Sequence, residues 1–266
     1  MKLLTLNTHS LVEGNGAWQA AVLADAILRE GFDVIALQEV NRSRIDAPVG
    51  REGSEVGEDY LGLVCEKLLA AGEKYFFSYL PVKLGYGRYD EGLAFLCRAP
   101  IVEIRSGYLT ERHSYNDWKT RMALGVRCDG SDEWFFNLHF GWWEDTEEPF
   151  CMQWVRLQSL LPDGAPYWLM GDFNNPAELR GEGYDLVRSS GLYDAYELSE
   201  QAVGAGTAGA KIDGWRGRSV AAESLRIDQI WSSRRRRVSS YCTLFDGARY
   251  PIVSDHFGVA IKVEEV

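Results

Sequence analysis

The chain has 266 residues, and against about 150 residues per domain this length allows one large domain or two small ones. Hydrophobic residues make up 46% and charged residues 25% of the sequence, a balance that excludes a disordered, collagenous or coiled-coil chain. The formal net charge of −11 has the wrong sign for a protein that holds nucleic acid mainly by neutralising phosphates.

Cysteine usage and the start of the chain predict a soluble, cytoplasmic protein. The five cysteines are widely spaced and form no CxxC pair, so we expect free thiols rather than a disulfide framework or a zinc site. The opening apolar run is broken at once by Asn7 and His9, which makes it too short for a signal peptide. No run of about 18 apolar residues occurs, so no association with a membrane is expected.

The first forty residues predict a β-α-β unit. KLLTLN is a short apolar run that ends in a polar residue, as in a buried strand. A helix is predicted over Trp18–Glu30, with Asn15 or Gly16 as its N-terminal cap and Gly31 at its end. Its apolar face is predicted to consist of Trp18, Val22, Leu23 and Ile27. The segment Asp33–Gln38 predicts the second buried strand.

A long loop and a second helix follow. Residues 41–59 are rich in glycine and acidic residues, and a loop of this length favours a functional role over a simple connection. The helix after it is predicted to end at Gly72, with one apolar face formed by Leu61, Val64, Cys65, Leu68 and Leu69.

The rest of the chain predicts strands with a few helices between them. The middle strands, expected to be antiparallel, are Tyr75–Leu80, Leu93–Arg98, Ile101–Leu109, Arg121–Arg127 and Glu133–His139. The later elements are a helix from Pro149 to Leu161, a strand at Tyr167–Gly171, a short helix at Tyr184–Ser189, and strands at Arg226–Trp231, Ser239–Phe245 and Phe257–Val263. No linker or repeat divides the chain, so residues 1–266 are interpreted as one domain of mixed sheets with flanking helices.

Polar residues lie within or at the ends of these apolar strands, where a lone carboxylate is costly to bury. They are Asn7, Glu39, Glu91, His139, Asp172, Asn174, Asp228, Asp255 and His256. Each alone also fits a structural role, since Asn7 could cap a turn and His139 could be a satisfied core histidine. Together they indicate a site, because separate strand ends on one edge of a sheet are where α/β proteins assemble one.

The chemical types of these residues suit hydrolysis at phosphorus. Carboxylates and amide oxygens are hard ligands for Mg²⁺ or Mn²⁺, and histidines beside acids suit proton transfer. Asp172 and Asn174 are two residues apart, so in an extended chain both project to one side while Phe173 turns into the core.

Seven motifs, in order across nearly the whole chain, resemble those of the endonuclease/exonuclease/phosphatase superfamily of divalent-metal phosphoesterases. They are LTLNTH with Asn7, ALQEV with Glu39, YDEGLAFLCRAPI with Glu91, NLHF with His139, GDFNNP with Asp172 and Asn174, RIDQIW with Asp228, and SDHFGV with Asp255 and His256. The resemblance implies a four-layered α/β sandwich, in which two packed mixed β-sheets are flanked by helices and the site lies at the strand ends.

The resemblance also implies roles for these residues. Glu39, assisted by Asn7 and Asp255, would bind the metal, and Asp172 would orient or deprotonate the attacking water. Asn174 would donate to the phosphoryl oxygens. The remaining catalytic groups would be two acid–histidine pairs, Asp228 with His256 and Glu91 with His139.

Charge and aromatic content bear on the substrate. The one basic run, Arg234–Arg237, is interpreted as a solvated hairpin turn rather than a nucleic-acid patch, because it acts against the overall charge. In several nuclease branches an acidic residue lies two places after the first Asn, whereas this chain has His9 there. Aromatic faces near polar groups suit a sugar ring. The expected substrate-binding residues are His9, Arg121, Trp142, Trp143 and Trp215.

The combination LTLNTHS, RYDEGLAFL, HFGWW, GDFNNP and IDGW resembles a bacterial branch that includes maltose 6′-phosphate phosphatases. The resemblance implies a Mg²⁺- or Mn²⁺-dependent phosphatase of a small phosphorylated sugar. Two alternatives stay open at this point: an endo- or exonuclease that cleaves phosphodiesters, and a catalytically silent binding module.

Overall fold

The computed structural model describes residues 1–12, 14–44, 59–208 and 224–264. Its helices are α1 (Gly16–Glu30), α2 (Tyr60–Ala70), α3 (Phe150–Gln158), α4 (Gly183–Ser189) and α5 (Ala195–Leu198). Its strands are β1 (Lys2–Asn7), β2 (Val34–Ser43), β3 (Phe76–Gly85), β4 (Tyr89–Cys97), β5 (Ile101–Tyr108), β6 (Met122–Cys128), β7 (Trp134–His139), β8 (Tyr167–Asp172), β9 (Tyr193–Asp194), β10 (Ala202–Val203), β11 (Asp228–Ser232), β12 (Val238–Leu244) and β13 (Gly258–Val263).

The strands form two mixed sheets. The first sheet has seven strands in the order β10-β12-β13-β1-β2-β4-β3, and the second has six in the order β5-β6-β7-β8-β11-β9. The predicted β-α-β unit is confirmed, because β1 and β2 are parallel neighbours on either side of α1. The expected antiparallel middle section is also confirmed, since β3 pairs with β4 and β6 pairs with both β5 and β7 in that sense.

Apolar side chains bind the sheets and helices into four layers, as the resemblance implied. One core lies between the first sheet and α1 and α2, and includes Leu23, Ile27 and Val64. A second fills the space between the two sheets, where Phe95 and Phe135 are buried. A third packs the second sheet against α3 and α4. Burial of both faces explains why the central strands are nearly continuous apolar runs.

Two predicted helix faces are partly wrong. Helix α1 does begin after Asn15 and end at Gly31, whose left-handed φ of 66° closes it, but Trp18 is 45% exposed. In α2, Leu69 is 67% exposed. In α1 the buried face includes Ala20, Leu23, Ala24 and Ile27, and in α2 it includes Leu61, Val64 and Leu68. Trp18 and Leu69 therefore lie on the solvent side of their helices. Helix α3 ends at Gln158, before the predicted Leu161.

The arginine run is not a hairpin turn. It connects β11 of the second sheet to β12 of the first, so the flanking strands are not paired with each other. Arg236 pairs with Glu133, and Arg237 lies 2.7 Å from Glu200. The run follows Ser232, at the opposite end of β11 from Asp228, so it lies far from the candidate site described below.

The expectation of free thiols is confirmed, since all five cysteines are unpaired. Within the described ranges no helix is long and apolar enough to cross a membrane.

A buried polar network joins the two sheets. Asn137 of β7 donates to the carbonyl oxygens of Leu37 and Ala94, both at 2.9 Å. Gln38 of β2 donates to Asn137 Oδ1 at 2.6 Å and to Thr5 Oγ1 at 3.1 Å. Apolar packing is non-directional, whereas these bonds fix how the sheets are positioned against each other.

We predict that Asn137→Leu lowers the free energy of unfolding by about 3 kcal/mol, because the change removes a side-chain donor from two buried carbonyls and takes from Gln38 one of its two acceptors. Chemical denaturation monitored by tryptophan fluorescence measures the change. The matched control is Asn116→Leu at an exposed position, expected to change stability by less than about 0.5 kcal/mol. Equal effects of the two substitutions would contradict the role of Asn137 in joining the two sheets.

Candidate active site

Strand ends of both sheets meet at one edge of the sandwich. In the second sheet His139, Asp172 and Asp228 form one row across three neighbouring strands, because Asp172 is the register partner of both others. In the first sheet Asn7 ends β1, opposite Gln38 of β2. Parallel pairing of β7 with β8 and of β1 with β2, and antiparallel pairing of β8 with β11, thus bring the predicted polar residues together. In sequence, 165 positions separate the hydrogen-bonded Asn7 and Asp172.

Strained backbone is concentrated at this edge. Among the described residues other than glycine, six have positive φ, and four of them belong to the site region: His9 at 40°, Glu39 at 49°, Tyr86 at 50° and Asn174 at 48°. Glu39 lies where the β2–β4 register shifts, so a β-bulge re-aims its side chain. Such conformations cost free energy and persist where surrounding structure enforces them, typically at functional sites.

Asp172 is the centre of the site. Its Oδ2 accepts from Asn7 Nδ2 at 3.1 Å and lies 3.5 Å from His139 Nε2 and 3.9 Å from His256 Nε2. The residue is 1% exposed, and burial raises the pKa of its carboxyl to about 7, with Asp228 adding to the rise. The preceding Gly171 has φ of 147°, and a Cβ there would lie 1.9 Å from the carbonyl oxygen of Leu138, so only glycine lets β7 and β8 approach this closely.

Asn174 reaches Asp172 by a different geometry from the one predicted. Its backbone N–H donates to Asp172 Oδ1 at 2.8 Å, and its side chain donates to the carbonyl oxygen of Phe140 at 3.0 Å. This is an Asx-type turn with Asn174 in the left-handed region, not an extended chain. Phe173 is buried in the core as expected.

The Asp228–His256 pair is present as predicted. Asp228 Oδ2 lies 2.9 Å from His256 Nδ1, and both residues are buried. Burial alone would lower the pKa of His256, but the charges of Asp228 and Asp172 and the bond to Asp228 together raise it well above its usual value. These charges favour the protonated imidazole, and its Nε2 lies on the side of Asp172.

The predicted pairing of Glu91 with His139 is wrong. Glu91 Oε1 lies 3.1 Å from Lys83 Nζ, while His139 Nε2 is directed towards Asp172 and lies 3.9 Å from Glu39 Oε1. Lys83 is adjacent to Glu91 across the β3–β4 pair, so the nearest buried cation takes the carboxylate. Burial lowers the pKa of His139 well below its usual value, and the charges of Arg121 and Lys83 add to the effect.

The predicted metal ligands are only partly brought together. Asn7 Nδ2 donates to Glu39 Oε1 at 2.9 Å, whereas Asp255 Oδ1 contacts His9 Nδ1 at 3.4 Å. His9 is buried, and its Nε2 lies 2.8 Å from the Tyr86 hydroxyl. His9 is not among the residues that line the cavity described next, whereas Tyr86, which its ring contacts, is one of them.

A cavity of about 320 Å³ opens beside these groups. Its wall combines the candidate catalytic groups Glu39, Glu91, His139, Asp172, Asn174 and His256 with Lys83, Leu84, Gly85, Tyr86, Trp118, Arg121 and Trp142. The rings of Trp118 and Trp142 have centroids 5.9 Å apart and are tilted by 55°. Polar reactive groups and an aromatic wall therefore share one space.

Of the expected substrate-binding residues, Arg121 and Trp142 line this cavity. Trp143 does not, because it packs towards Phe150 and the third core, with ring centroids 6.5 Å apart. Trp215 lies outside the described residues, as does most of the acidic loop, from residue 45 to 58.

Sequence reasoning missed Lys83, Tyr86 and Trp118 as lining residues. The sequence does offer an indication for Lys83, because it is a single cation just after a strand that was predicted to end at Leu80. Tyr86 lies between two glycines, a turn pattern that does not indicate where the ring points. Trp118 follows a run of polar residues, and its place at the cavity becomes clear only from its ring contact with Trp142.

The donor set fits a divalent cation. Glu39 and Asp172 are carboxylates linked through Asn7, and Asp228 Oδ1 is buried without a hydrogen bond among the described residues. Asp172, Asp228 and His256 also offer ligand atoms within 4.8 Å of one another. Burial raises the pKa of Glu39, and the charge of Glu91 adds to it, which is the electrostatic environment that a cation relieves.

We predict that Asp228→Asn lowers kcat by about 10- to 100-fold, because an amide neither holds the imidazolium charge of His256 nor fixes its ring as a carboxylate does. Steady-state kinetics over a pH series measure this, and the profile is expected to shift along with the loss of rate. The exposed Asp132→Asn is the control. An unchanged rate and pH profile would refute a working role for the pair.

Comparison with known proteins gives a consistent assignment. The family model described as the endonuclease/exonuclease/phosphatase family matches residues 4–256. A solved endonuclease/exonuclease/phosphatase family protein from Leptotrichia buccalis C-1013-b is 28% identical, with all of both chains covered and a TM-score of 0.85. No curated protein matches the sequence significantly.

Two further solved structures share the fold at lower identity. One is a mannosyl-6-phosphatase from Bacteroides thetaiotaomicron VPI-5482, 21% identical over all of both chains with a TM-score of 0.69. The other is D. rerio TDP2 complexed with a single-strand DNA product, 18% identical over 100% of this chain and 99% of that one, with a TM-score of 0.64.

Proposed function

The chain belongs to the endonuclease/exonuclease/phosphatase family of metal-dependent phosphoester hydrolases, and from this premise we propose that it is a Mg²⁺-dependent phosphatase of a small phosphorylated sugar. The observation that carries the proposal is the composition of the cavity wall. The same wall holds the groups proposed to act on phosphorus and the two tryptophans Trp118 and Trp142. Tryptophan faces stack well on the apolar CH faces of a sugar, while nearby polar groups bind its hydroxyls.

The charge distribution supports a small substrate over a nucleic acid. The formal net charge is −11, and a nucleic-acid backbone is bound mainly through cations that neutralise successive phosphates. The arginine run lies at the far end of β11 and pairs with Glu133 and Glu200. Close to the site, the cavity offers Lys83 and Arg121, which suffice for one phosphate rather than a strand.

Glu39 and Asn7 are the residues proposed to hold the cation, because Mg²⁺ prefers oxygen donors to imidazole nitrogen, and Asp172 beside them is kept as the base. When bound, the cation supplies charge neutralisation for the phosphoryl oxygens. Asp255 is proposed to contribute through His9, which it contacts.

The protein groups are arranged for in-line attack of water on phosphorus. A water oxygen bonds to phosphorus, its proton passes to Asp172, and the P–O bond to the sugar breaks. The leaving alkoxide takes a proton from solvent to become the alcohol, Asp172 returns its proton to solvent, and inorganic phosphate is released. Asn174 is proposed to donate to the phosphoryl oxygens, and the protonated His256, held by Asp228 at 2.9 Å, to bind or protonate them. Positioning and electrostatics account for most catalysis of this kind.

His139 acts as a neutral hydrogen-bonding group in this scheme, since burial lowers its pKa well below the usual value. Glu91 is proposed to act through Lys83, whose ammonium it contacts at 3.1 Å. It thus positions a cation at the cavity wall instead of orienting a histidine.

The proposal is tested with a panel of hexose and disaccharide phosphates, phosphodiesters and plasmid DNA, each assayed with Mg²⁺, with Mn²⁺ and with EDTA. We expect kcat/KM on the best sugar phosphate to exceed that on any phosphodiester by at least about tenfold, which corresponds to ~1.4 kcal/mol of transition-state binding. Plasmid cleavage without activity on any sugar phosphate would favour the nuclease, a fold relative of which binds DNA.

We predict that Glu39→Gln weakens Mg²⁺ binding and activity together, each by at least about tenfold, because the amide keeps the volume of the side chain but loses its charge. Isothermal titration with Mg²⁺ and steady-state kinetics measure the two effects, and the melting temperature of the apoprotein checks folding. The exposed Glu103→Gln is the matched control. Full Mg²⁺-dependent turnover by Glu39→Gln would contradict the assignment.

We predict that Trp142→Ala and Trp118→Ala each lower kcat/KM on the sugar phosphate by about tenfold, because each removes an aromatic face worth ~0.5–1.5 kcal/mol or more of ring contact. Hydrolysis of 4-nitrophenyl phosphate is expected to change by less than about threefold, which is under ~0.7 kcal/mol. Trp143→Ala is the control outside the cavity and is expected to affect both substrates equally. Equal losses on both substrates in the Trp118 and Trp142 variants would contradict sugar stacking.

A further inference from the structure

Arg121 carries an unused hydrogen-bonding edge at the candidate site. The side chain belongs to a residue that is only 5% exposed. Its Nη1 donates to the carbonyl oxygens of Trp118 at 3.0 Å and Thr120 at 3.4 Å. Its Nε is buried with no hydrogen bond to any described residue. Within the described ranges no hydrogen bond or ion pair engages Nη2 either.

Two donors without a hydrogen bond are unusual for a buried guanidinium. Burying a guanidinium is costly unless hydrogen bonds or an opposite charge compensate it. The neighbouring buried cation, Lys83, is compensated, since its Nζ lies 3.1 Å from Glu91 Oε1 and donates to the carbonyl oxygen of Trp118 at 2.9 Å. Arg121 therefore differs from Lys83 in having no carboxylate of its own within the described part of the chain.

Arg121 lies at the wall of the candidate site. Arg121 lines the same cavity as Asp172, Asn174 and His256, and also a smaller adjoining cavity with Glu39 and His139. The Nε–Nη2 edge of arginine is a planar pair of donors that matches two oxygens of a phosphate. Two donors that make no hydrogen bond within the described residues thus belong to a side chain beside the groups that are proposed to act on phosphorus.

We infer that Arg121 binds two terminal oxygens of the substrate phosphate and so selects phosphomonoesters over phosphodiesters, an inference that rests on the proposed phosphatase function. A phosphomonoester has three terminal oxygens and carries close to two negative charges near neutral pH. A phosphodiester has two terminal oxygens and one charge, and its second ester group takes the place of the third oxygen. A diester therefore cannot satisfy both Arg121 and the donors on the other side of the phosphorus.

The same contact with Arg121 is expected for the inorganic phosphate that the reaction releases. The phosphate released on hydrolysis keeps the oxygens bound to Arg121 and gains one from water. Inorganic phosphate should therefore bind at the same edge and inhibit competitively, and Arg121 should set its inhibition constant.

The test compares Arg121→Met and Arg121→Lys with the native chain on 4-nitrophenyl phosphate and bis(4-nitrophenyl) phosphate in Mg²⁺. Met keeps the length of the side chain without charge, and Lys keeps the charge without the paired donors. We expect the Met variant to lose about 100-fold in kcat/KM on the monoester, as for loss of charge-assisted hydrogen bonds. On the diester it should lose less than about threefold.

Three further readouts support the comparison. The inhibition constant for inorganic phosphate is expected to rise by at least about tenfold in the Met variant, and added guanidinium chloride is expected to restore part of the monoester activity. Melting temperatures check folding, and if Met does not fold, Lys carries the same comparison. Lys119→Met is the matched control, since Lys119 lies beside Trp118 but pairs with Asp145 at 2.9 Å.

Equal losses on both esters with no effect on phosphate inhibition would overturn the assignment, and so would a native preference for the diester. Neither ester carries a sugar, so the result does not depend on which alcohol the phosphate is attached to. A chain that hydrolyses no sugar phosphate but shows the Arg121-dependent preference would refute the sugar and keep the phosphate selection.

Discussion

The relative position of the two sheets is the constraint on which the candidate site depends, because its groups come from both. Asn7 and Glu39 belong to the first sheet, while His139, Asp172 and Asp228 belong to the second. Apolar side chains between the sheets hold them together, but apolar packing is non-directional and does not by itself fix how one sheet is positioned on the other. The bonds from Asn137 to two carbonyls of the first sheet, both at 2.9 Å, fix that position, and the buried bond from Asn7 to Asp172 joins the two sheets at the site itself.

The site concentrates buried charge and strained backbone that the rest of the fold stabilises. Asp172 is buried within reach of two histidines and an asparagine. Glu39 and Asn174 adopt left-handed backbone that costs free energy. Three hydrophobic cores surround this edge, and they offset costs that an isolated loop could not. The consequence is a set of groups that needs little rearrangement to act.

The wall of the cavity combines two kinds of group. Its carboxylates, His256 and Arg121 are suited to a terminal phosphate. Trp118 and Trp142, whose ring centroids are 5.9 Å apart, are suited to a ring with apolar faces. The cations of the cavity are few, while the arginine run lies at the opposite end of β11, where Arg236 and Arg237 pair with glutamates. A small phosphate ester fits this distribution better than a polymer with a charge at every residue.

The sequence by itself determined most of the strands and, through the resemblance of its motifs, the fold class. It also marked the candidate site residues, because polar groups at the ends of apolar runs are costly to bury without partners. Tertiary structure alone decided the pairings. Glu91 lies beside Lys83 and not His139, Trp143 packs into a core while Trp118 faces the cavity, and His9 supports Tyr86. Sequence spacing sets which face of a strand or loop a side chain occupies. Which neighbour it meets depends on the register between strands and on how the two sheets pack, and these are fixed by contacts between residues far apart in the chain.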